Sequence, residues 1–196
     1  MIHRRTLAGL AATGAVALAL ATTTAANASA SERTGSSDRG NGTTTVVLNP
    51  TLVPVLVNAL KVEPVAPGQL SAPSGVAQVS FPITRVSGGV VHHVGGLQFA
   101  PVGGGQLKIT QFDVNLNTGY LTAKTRLGGK TLRERVNIFA LGPAQPINGM
   151  TPSCAGVQAG LTLTSDAAAA LGAPSFTGAF VGDACVVPAT HNQNND

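Results

Sequence analysis

The sequence predicts an all-β fold: a single β-sandwich or open barrel of about eight short antiparallel strands with one or two short helices. Three observations support this prediction. Apolar and polar residues alternate along most segments between Thr43 and Pro188, as they do in strands with one buried face. The chain contains 24 Gly and 12 Pro, which interrupt it at short intervals and disfavour long helices. With 196 residues, 43% hydrophobic and 10% charged, it is long enough to bury one core.

The first thirty residues have the composition of a secretory signal peptide. Residues 3–5 (HRR) supply a positively charged start, and the apolar run of residues 7–21 is too short to span a bilayer. Small residues follow, and two A-x-A patterns predict cleavage after Ala28 or Ala30. We therefore expect a secreted, extracellular protein with no membrane span after cleavage. The sequence leaves open whether export uses the general or the twin-arginine route.

The remaining chain divides into three regions. Residues 31–42 are polar and aperiodic and predict a flexible linker, residues 43–188 form the β domain, and residues 189–196 predict a disordered tail. Without the signal peptide, ten Lys and Arg face eight acidic residues. A nearly neutral chain with few aromatic residues is not the composition of a nucleic-acid-binding protein. We expect a monomer whose partner is an unknown cell-surface or small-molecule ligand.

The chain has two cysteines, Cys154 and Cys185. In an exported protein an even pair predicts a disulfide, because nothing outside the cell keeps thiols reduced. We expect this bond to close a loop of about thirty residues, with a stabilisation of roughly 3 to 4 kcal/mol if chain entropy dominates.

Most strands follow from period-two alternation between turn residues. In chain order, the predicted strands are 44–48, 79–84, 91–99, 107–116, 121–127, 130–141, 156–164 and 176–187. Residues 61–65 are also predicted to be extended. Pro64, Pro67 and Pro73 place the following segment in a loop or at a sheet edge, since proline cannot donate to a central ladder.

Two short helices are predicted between the strands. Asn49 is a helix cap followed by proline, and the leucines of residues 52–60 repeat at helical spacing, but Pro54 limits this helix to one or two turns. Ser165 is predicted to cap a second helix, because the alanines of residues 167–170 have high helix propensity.

Three irregularities are predicted within the strands. The apolar phase slips by one residue between Ile109 and Phe112, which predicts a β-bulge near Thr110–Gln111. Residues 117–119 (NTG) predict a three-residue hairpin loop with glycine at the positive-φ position. Pro82 must face a sheet edge or a bulge.

Gly128–Gly129 predicts a two-residue hairpin turn with basic flanking strands. Counting outward from the turn places Lys124 opposite Arg133. The same face then carries Tyr120, Arg126 and Arg135, and the other face carries Leu121, Leu132 and Val136. The face formed by Lys124, Arg126, Arg133 and Arg135 is either solvated or a shallow anion-binding site. Glu134 falls on the apolar side by this count, so a bulge that shifts the register is a second possibility.

The residues do not predict an active site or a metal site. His92 and His93 are adjacent in a strand and point to opposite faces, with no third ligand at suitable spacing. Gly129–Lys130–Thr131 lacks the first glycine of a phosphate-binding loop, no G-x-S-x-G occurs, and no motif pairs the carboxylates. We therefore expect no enzyme activity, no catalytic residues and no cofactor.

The order of segments resembles the HtaA-type domain of secreted and cell-surface haem-acquisition proteins in high-GC Gram-positive bacteria. The similar stretches, which cover nearly the whole domain, are VSFPIT at 79–84, GVVHHVGGLQF at 89–99, GGQLKITQFDVNLNTGYLTAKT at 104–125 and the run 161–187. The resemblance implies a β-rich scaffold and, in the family, haem binding.

The family's haem-ligating pattern is absent from the matching positions. Haem-binding members carry an early Ser-Phe-Arg-x-x-Tyr stretch and a later Gly-His-Gly region. Here residues 44–56 contain no tyrosine and residues 100–104 read APVGG. If haem binds, Tyr120, His92 or His93 would have to ligate it from other positions.

Three functional hypotheses follow from these observations. The first is a secreted, non-catalytic module that binds an unknown ligand or associates with the cell envelope. The alternatives are a haem-binding protein with haem as cofactor, and a cell-wall hydrolase whose carboxylate pair forms only in the folded chain.

Overall fold

The computed structural model describes residues 41–100 and 105–189. Its strands are β1 Gly42–Leu48, β2 Glu63–Val65, β3 Gln69–Ser71, β4 Gln78–Ser87, β5 Val90–His93, β6 Gly96–Phe99, β7 Leu107–Asn115, β8 Tyr120–Leu127, β9 Lys130–Gly142, β10 Val157–Leu163 and β11 Phe180–Pro188. The helical segments are α1 (Ser165–Ala170), a π-helical turn (Val55–Ala59) and two 3₁₀ turns (Pro73–Gly75 and Pro174–Phe176). The all-β prediction is confirmed. The predicted signal peptide, the linker up to residue 40 and the tail from residue 190 lie outside the described residues.

Eight strands close into an antiparallel barrel. Their hydrogen-bonded order is β7-β5-β4-β1-β11-β10-β9-β8, and pairing of β8 with β7 completes the ring. β5 and β6 pair with successive halves of β7, β2 pairs with β6 outside the ring, and β3 pairs with β4. Closure gives each strand of the ring two neighbours, so its backbone groups are satisfied without an exposed edge.

The period-two alternation sends every second side chain of a barrel strand into the lumen. In β1, Thr44, Val46 and Leu48 are buried, while the residues between them are not. β1 and β10 run in the same direction, since both pair antiparallel with β11. The segment 49–62 after β1 and the helix α1 after β10 therefore enter at the same end of the barrel, where both pack against the core.

The bulge predicted in β7 is confirmed. Gln111 has φ 55°, and the register with β8 shifts between Thr110 and Asp113. The placement of Pro82 is also confirmed, because the register between β4 and β5 shifts just beyond it, at Ile83–Arg85. At both irregularities one residue has no partner in the neighbouring strand, and the alternation of apolar and polar residues shifts at that point.

Two predicted connections differ from the structure. The hairpin loop between β7 and β8 has four residues, 116–119, instead of three, because Asn115 pairs with Tyr120. The predicted strand 91–99 is two strands, β5 and β6, separated by Val94 and Gly95. Gly95 has φ 91°, a conformation that ends the ladder and redirects the chain.

The helices are also corrected in detail. The first is the single π-helical turn Val55–Ala59, in which the Leu60 N–H donates to the Val55 carbonyl. The second is capped by Thr164, and the prediction of Ser165 as the cap was wrong. The Thr164 hydroxyl accepts from the Ala167 N–H at 3.2 Å, and Ser165 is the first helical residue.

The predicted pairing of Lys124 with Arg133 was wrong, and the second possibility, a bulge that shifts the register, is confirmed. The turn itself is confirmed, since Leu127 pairs with Lys130 around two positive-φ glycines. The register then shifts on both sides of Thr125, so that Thr125 is opposite Arg133, and Lys124 forms an ion pair of 2.7 Å with Glu134. These bulges remove the like-charge pairing that a regular hairpin would impose.

The predicted disulfide between Cys154 and Cys185 is confirmed, with a Cα–Cα distance of 5.5 Å. It joins the connector before β10 to the middle of β11. β10 and β11 are already neighbours in the barrel. The bond therefore fixes a contact that the fold makes anyway and acts mainly on the unfolded chain.

Reduction of this bond should lower the free energy of unfolding by about 3 to 4 kcal/mol, because the loop of 31 residues regains its chain entropy. Thermal unfolding with and without dithiothreitol measures this effect. The double variant Cys154→Ser/Cys185→Ser should melt like the reduced protein and show no response to reductant. An unchanged melting temperature after thiol release has been verified would contradict the prediction.

Candidate functional sites

The two adjacent histidines of β5 lie on opposite faces of the barrel wall, as predicted. His93 points into the lumen and is 6% exposed, whereas His92 lies on the outer face. Each histidine is part of a different polar group, so the wall separates two candidate sites.

The lumen contains a cavity of about 110 Å³. Among the described residues that line it, Thr44 and His93 are polar and all others are apolar. The apolar lining comes from the barrel strands, from segment 49–62 and from α1 with the turn after it. An apolar wall offers water few hydrogen bonds. A cavity of this kind can therefore stay dry and bind apolar molecules.

His93 and Thr44 form a directed hydrogen-bond chain at the wall of this cavity. His93 Nδ1 lies 3.1 Å from the Phe112 carbonyl oxygen, which only accepts, so Nδ1 carries the proton. Burial lowers the pKa of His93, which keeps the ring neutral and makes Nε2 an acceptor. The Thr44 hydroxyl, 2.6 Å from Nε2, therefore donates to the ring. The Thr44 oxygen keeps lone pairs with which it can accept a further hydrogen bond.

A second polar group lies on the outer face and was missed at the level of the sequence. His92 Nδ1 is 2.8 Å from Asp113 Oδ1, and Arg135 Nη2 is 2.9 Å from Asp113 Oδ2. On the other side of the ring, His92 Nε2 is 3.3 Å from Arg85 Nη2 and 3.5 Å from Ser87 Oγ.

Strand register produces this outer group. Arg85 on β4 and Asp113 on β7 are both directly opposite His92 on β5, and Ser87 is two residues along β4 on the same face. The hairpin turn Gly88–Gly89 could have indicated the pairing of Arg85 with His92. Asp113 could not have been found in this way, because β6 intervenes in the sequence between β5 and β7.

The four predicted anion-binding cations do not form one site. Lys124 pairs with Glu134, and Arg135 pairs with Asp113. Arg126 donates from Nε to the Thr131 hydroxyl at 3.3 Å and is opposite Lys108, while Arg133 is exposed opposite Thr125. Two of the four cations therefore have an acidic partner, Glu134 on β9 and Asp113 on β7.

The three candidate haem ligands are likewise divided. Tyr120 is 38% exposed at the start of β8, and His92 is on the outer face beside Asp113. His93 is inside the barrel, where both ring nitrogens already have hydrogen-bond partners. His93 thus shares no surface with the other two.

Asp183 is a buried carboxylate on β11, only 2% exposed. It accepts from the Gln145 N–H, at 3.1 and 3.2 Å from its two oxygens, and burial raises its pKa. The connector after β9 covers it, since the carbonyl of Pro143 lies against Gly160, the residue opposite Asp183. This contact explains how the connector is held on the barrel wall.

Protonation of His93 should make the protein less stable in acid. Because its pKa is lower in the folded state than the ordinary 6.5, the unfolded chain binds this proton more readily. The contribution is fully present above about pH 6.5 and is lost as the pH falls through the lowered pKa.

Urea unfolding of the wild type and of His93→Gln measures this contribution. Between about pH 8 and about pH 5, the free energy of unfolding of the wild type should fall further than that of the variant. Asp113 and His92, which act on His93 in opposite directions, are present in both proteins. Parallel curves for the two proteins would show that His93 does not titrate on unfolding.

Within the described part of the chain, no three His, Cys, Asp or Glu side chains are grouped as metal ligands would be. None of the helices described is long and apolar enough to cross a membrane. Comparisons with protein-family models, curated proteins and solved structures find no match. The two polar groups described above are therefore the features of this chain that bear on its function.

Proposed function

We propose that this is a secreted binding module that holds a small, mainly apolar ligand with one hydrogen-bond donor inside its barrel. The observation that carries the proposal is the lumen cavity, whose apolar wall is interrupted by the Thr44–His93 pair. Eight-stranded barrels have an interior just wide enough to be filled by side chains or to hold one small ligand.

The cavity size limits the ligand to a small ring or a short apolar chain. Its volume of about 110 Å³ is comparable to that of engineered apolar cavities, of roughly 150 Å³, that bind benzene. Burial of an apolar ligand in such a site is favourable because it removes apolar surface from water at little cost to the wall.

The polar pair determines which end group the ligand carries. The Thr44 hydroxyl donates its proton to His93, so it can only accept from a ligand. A ligand with a hydroxyl or amine donor satisfies this acceptor. A second polar group on the ligand would face an apolar wall, and its burial without a hydrogen bond would cost binding free energy.

Two features support an extracellular location. The signal-peptide pattern of residues 1–30 predicts export, and the Cys154–Cys185 disulfide is compatible with an oxidising environment. In this proposal the similarity to the HtaA-type domain is one of scaffold only, because the residues that ligate haem in the family are not matched.

The proposal predicts that the protein binds 4-methylphenol more tightly than toluene, a molecule of similar size without the hydroxyl. Isothermal titration calorimetry of the purified protein measures both affinities. Loss of one good hydrogen bond in a dry site reduces affinity by roughly tenfold, corresponding to about 1.4 kcal/mol. Equal or undetectable binding of both compounds contradicts the proposed ligand class.

Two variants identify the lumen as the site. Thr44→Val removes the hydroxyl acceptor but uncovers His93 Nε2, which is itself an acceptor. The double variant Thr44→Val/His93→Leu removes both and should bring the affinity for 4-methylphenol down to that for toluene, provided that it is folded. Ala184→Leu fills the cavity from β11 and should weaken both, provided that its melting curve shows a folded protein. Val187→Ala, on an exposed position of the same strand, is the matched control. Unchanged binding in both lumen variants would place the ligand elsewhere.

A hemin titration separates this proposal from the haem alternative. We expect no Soret band from the bound pigment, because the cavity is much smaller than the macrocycle and the candidate ligands do not share one surface. A Soret band that disappears in Tyr120→Phe, His92→Ala or His93→Ala would instead support haem capture and identify the residue that coordinates the iron.

A further inference from the structure

We propose that the outer face of the barrel carries a Ser87–His92–Asp113 triad in which Ser87 is an acylatable nucleophile, giving the protein esterase activity. This proposal departs from the expectation of a non-catalytic protein and is independent of the ligand-binding lumen. It stands on the geometry of three neighbouring strands, β4, β5 and β7.

The first element of the triad is the histidine with its carboxylate. His92 Nδ1 is 2.8 Å from Asp113 Oδ1, and a carboxylate accepts, so Nδ1 carries the proton and Nε2 presents a lone pair. Both side chains are partly buried, 24% and 17% exposed, which strengthens their interaction. Arg135 holds the second oxygen of Asp113 and also donates to the Gln111 carbonyl at 2.7 Å, so the carboxylate is fixed at both oxygens.

The second element is Ser87, which shares His92 Nε2 with Arg85. The guanidinium donates to this nitrogen at 3.3 Å and must move away from it before Nε2 can take the serine proton. Ser87 Oγ is 3.5 Å from His92 Nε2, a distance at the long end for a nucleophile and its base before substrate binds. Ser87 is exposed and immediately precedes the Gly88–Gly89 turn. Asn117 donates to the Gly88 carbonyl at 2.7 Å, and Leu116 donates to the Gly89 carbonyl at 2.9 Å, which anchors the turn to the neighbouring hairpin.

The third element is positive potential where an oxyanion would form. The Gly88 N–H follows the nucleophile and donates to no acceptor among residues 41–100 and 105–189. Arg85 Nη2 lies 3.3 Å from His92 Nε2, on the same side as Ser87. The amide after a nucleophilic serine and a nearby cation are groups that stabilise the charge of a tetrahedral intermediate.

The reaction follows the order of a serine esterase. Ser87 Oγ attacks the ester carbonyl carbon while His92 Nε2 takes the hydroxyl proton. The carbon–oxygen bond to the alcohol breaks, and His92 returns the proton to the departing alcohol. Water then attacks the acyl-serine with His92 as base, releasing the carboxylic acid and restoring Ser87. Asp113 is a positioning residue that holds the ring in the required tautomer.

The test uses a fluorophosphonate probe and p-nitrophenyl acetate with the purified protein. Peptide mapping should find the phosphonate on Ser87, and Ser87→Ala should abolish this adduct and the associated ester hydrolysis. His92→Gln should slow both by about 100-fold or more, the usual contribution of a general base. Ser80→Ala, a serine on the same strand but outside the triad, should react like the wild type.

The role of Asp113 has its own readout. Nitrogen-15 chemical shifts of the His92 ring should report the proton on Nδ1 in the wild type and on Nε2 in Asp113→Asn, together with a loss of probe labelling. Absence of an adduct on Ser87 in the wild type overturns the proposal, as does ester hydrolysis that survives intact in Ser87→Ala. Because Ser87 is exposed, its replacement leaves the fold unchanged and these outcomes can be read directly.

Discussion

Pairing between β7 and β8 is the contact on which the rest of this structure depends. It closes eight strands of the sheet into a ring and thereby divides the residues of these strands into lumen-facing and outward-facing ones. The separation of His92 from His93 is a direct result, since one residue of offset moves a side chain through the wall. Two chemically different environments therefore arise from adjacent positions in the sequence.

Inside the ring, the balance between apolar burial and polar satisfaction determines what the lumen can do. A buried histidine is tolerated because the Phe112 carbonyl and the Thr44 hydroxyl satisfy both of its nitrogens. Outside the ring, the same balance is less strict, and His92, Asp113 and Arg135 form a connected polar group in partial contact with water. The inner pair is suited to recognition by a single contact, and the outer group to proton transfer.

Local features of the chain were largely predictable from the sequence, because they depend on neighbouring residues. Alternation identified the barrel strands, Gly128–Gly129 identified a turn, and the phase slip near Gln111 identified a bulge. Contacts between distant segments were not predictable in the same way. The opposition of Asp113 to His92 depends on β7 pairing with β5 beyond β6. Within the β8–β9 hairpin, the position of Glu134 on the apolar side indicated a bulge only as one of two possibilities, and its ion pair with Lys124 was not predicted. Both candidate sites are built from such distant contacts.

The short strand β2 has a consequence for behaviour at high concentration. It lies at the end of the sheet beyond β6, the position from which a β-protein can recruit further chains by edge-to-edge pairing. Pro64 offers no amide to an incoming strand, and the carboxylate of Glu63 would have to be stripped of water in such a contact. The outer strand therefore opposes edge-to-edge stacking of one protein molecule on another at high concentration.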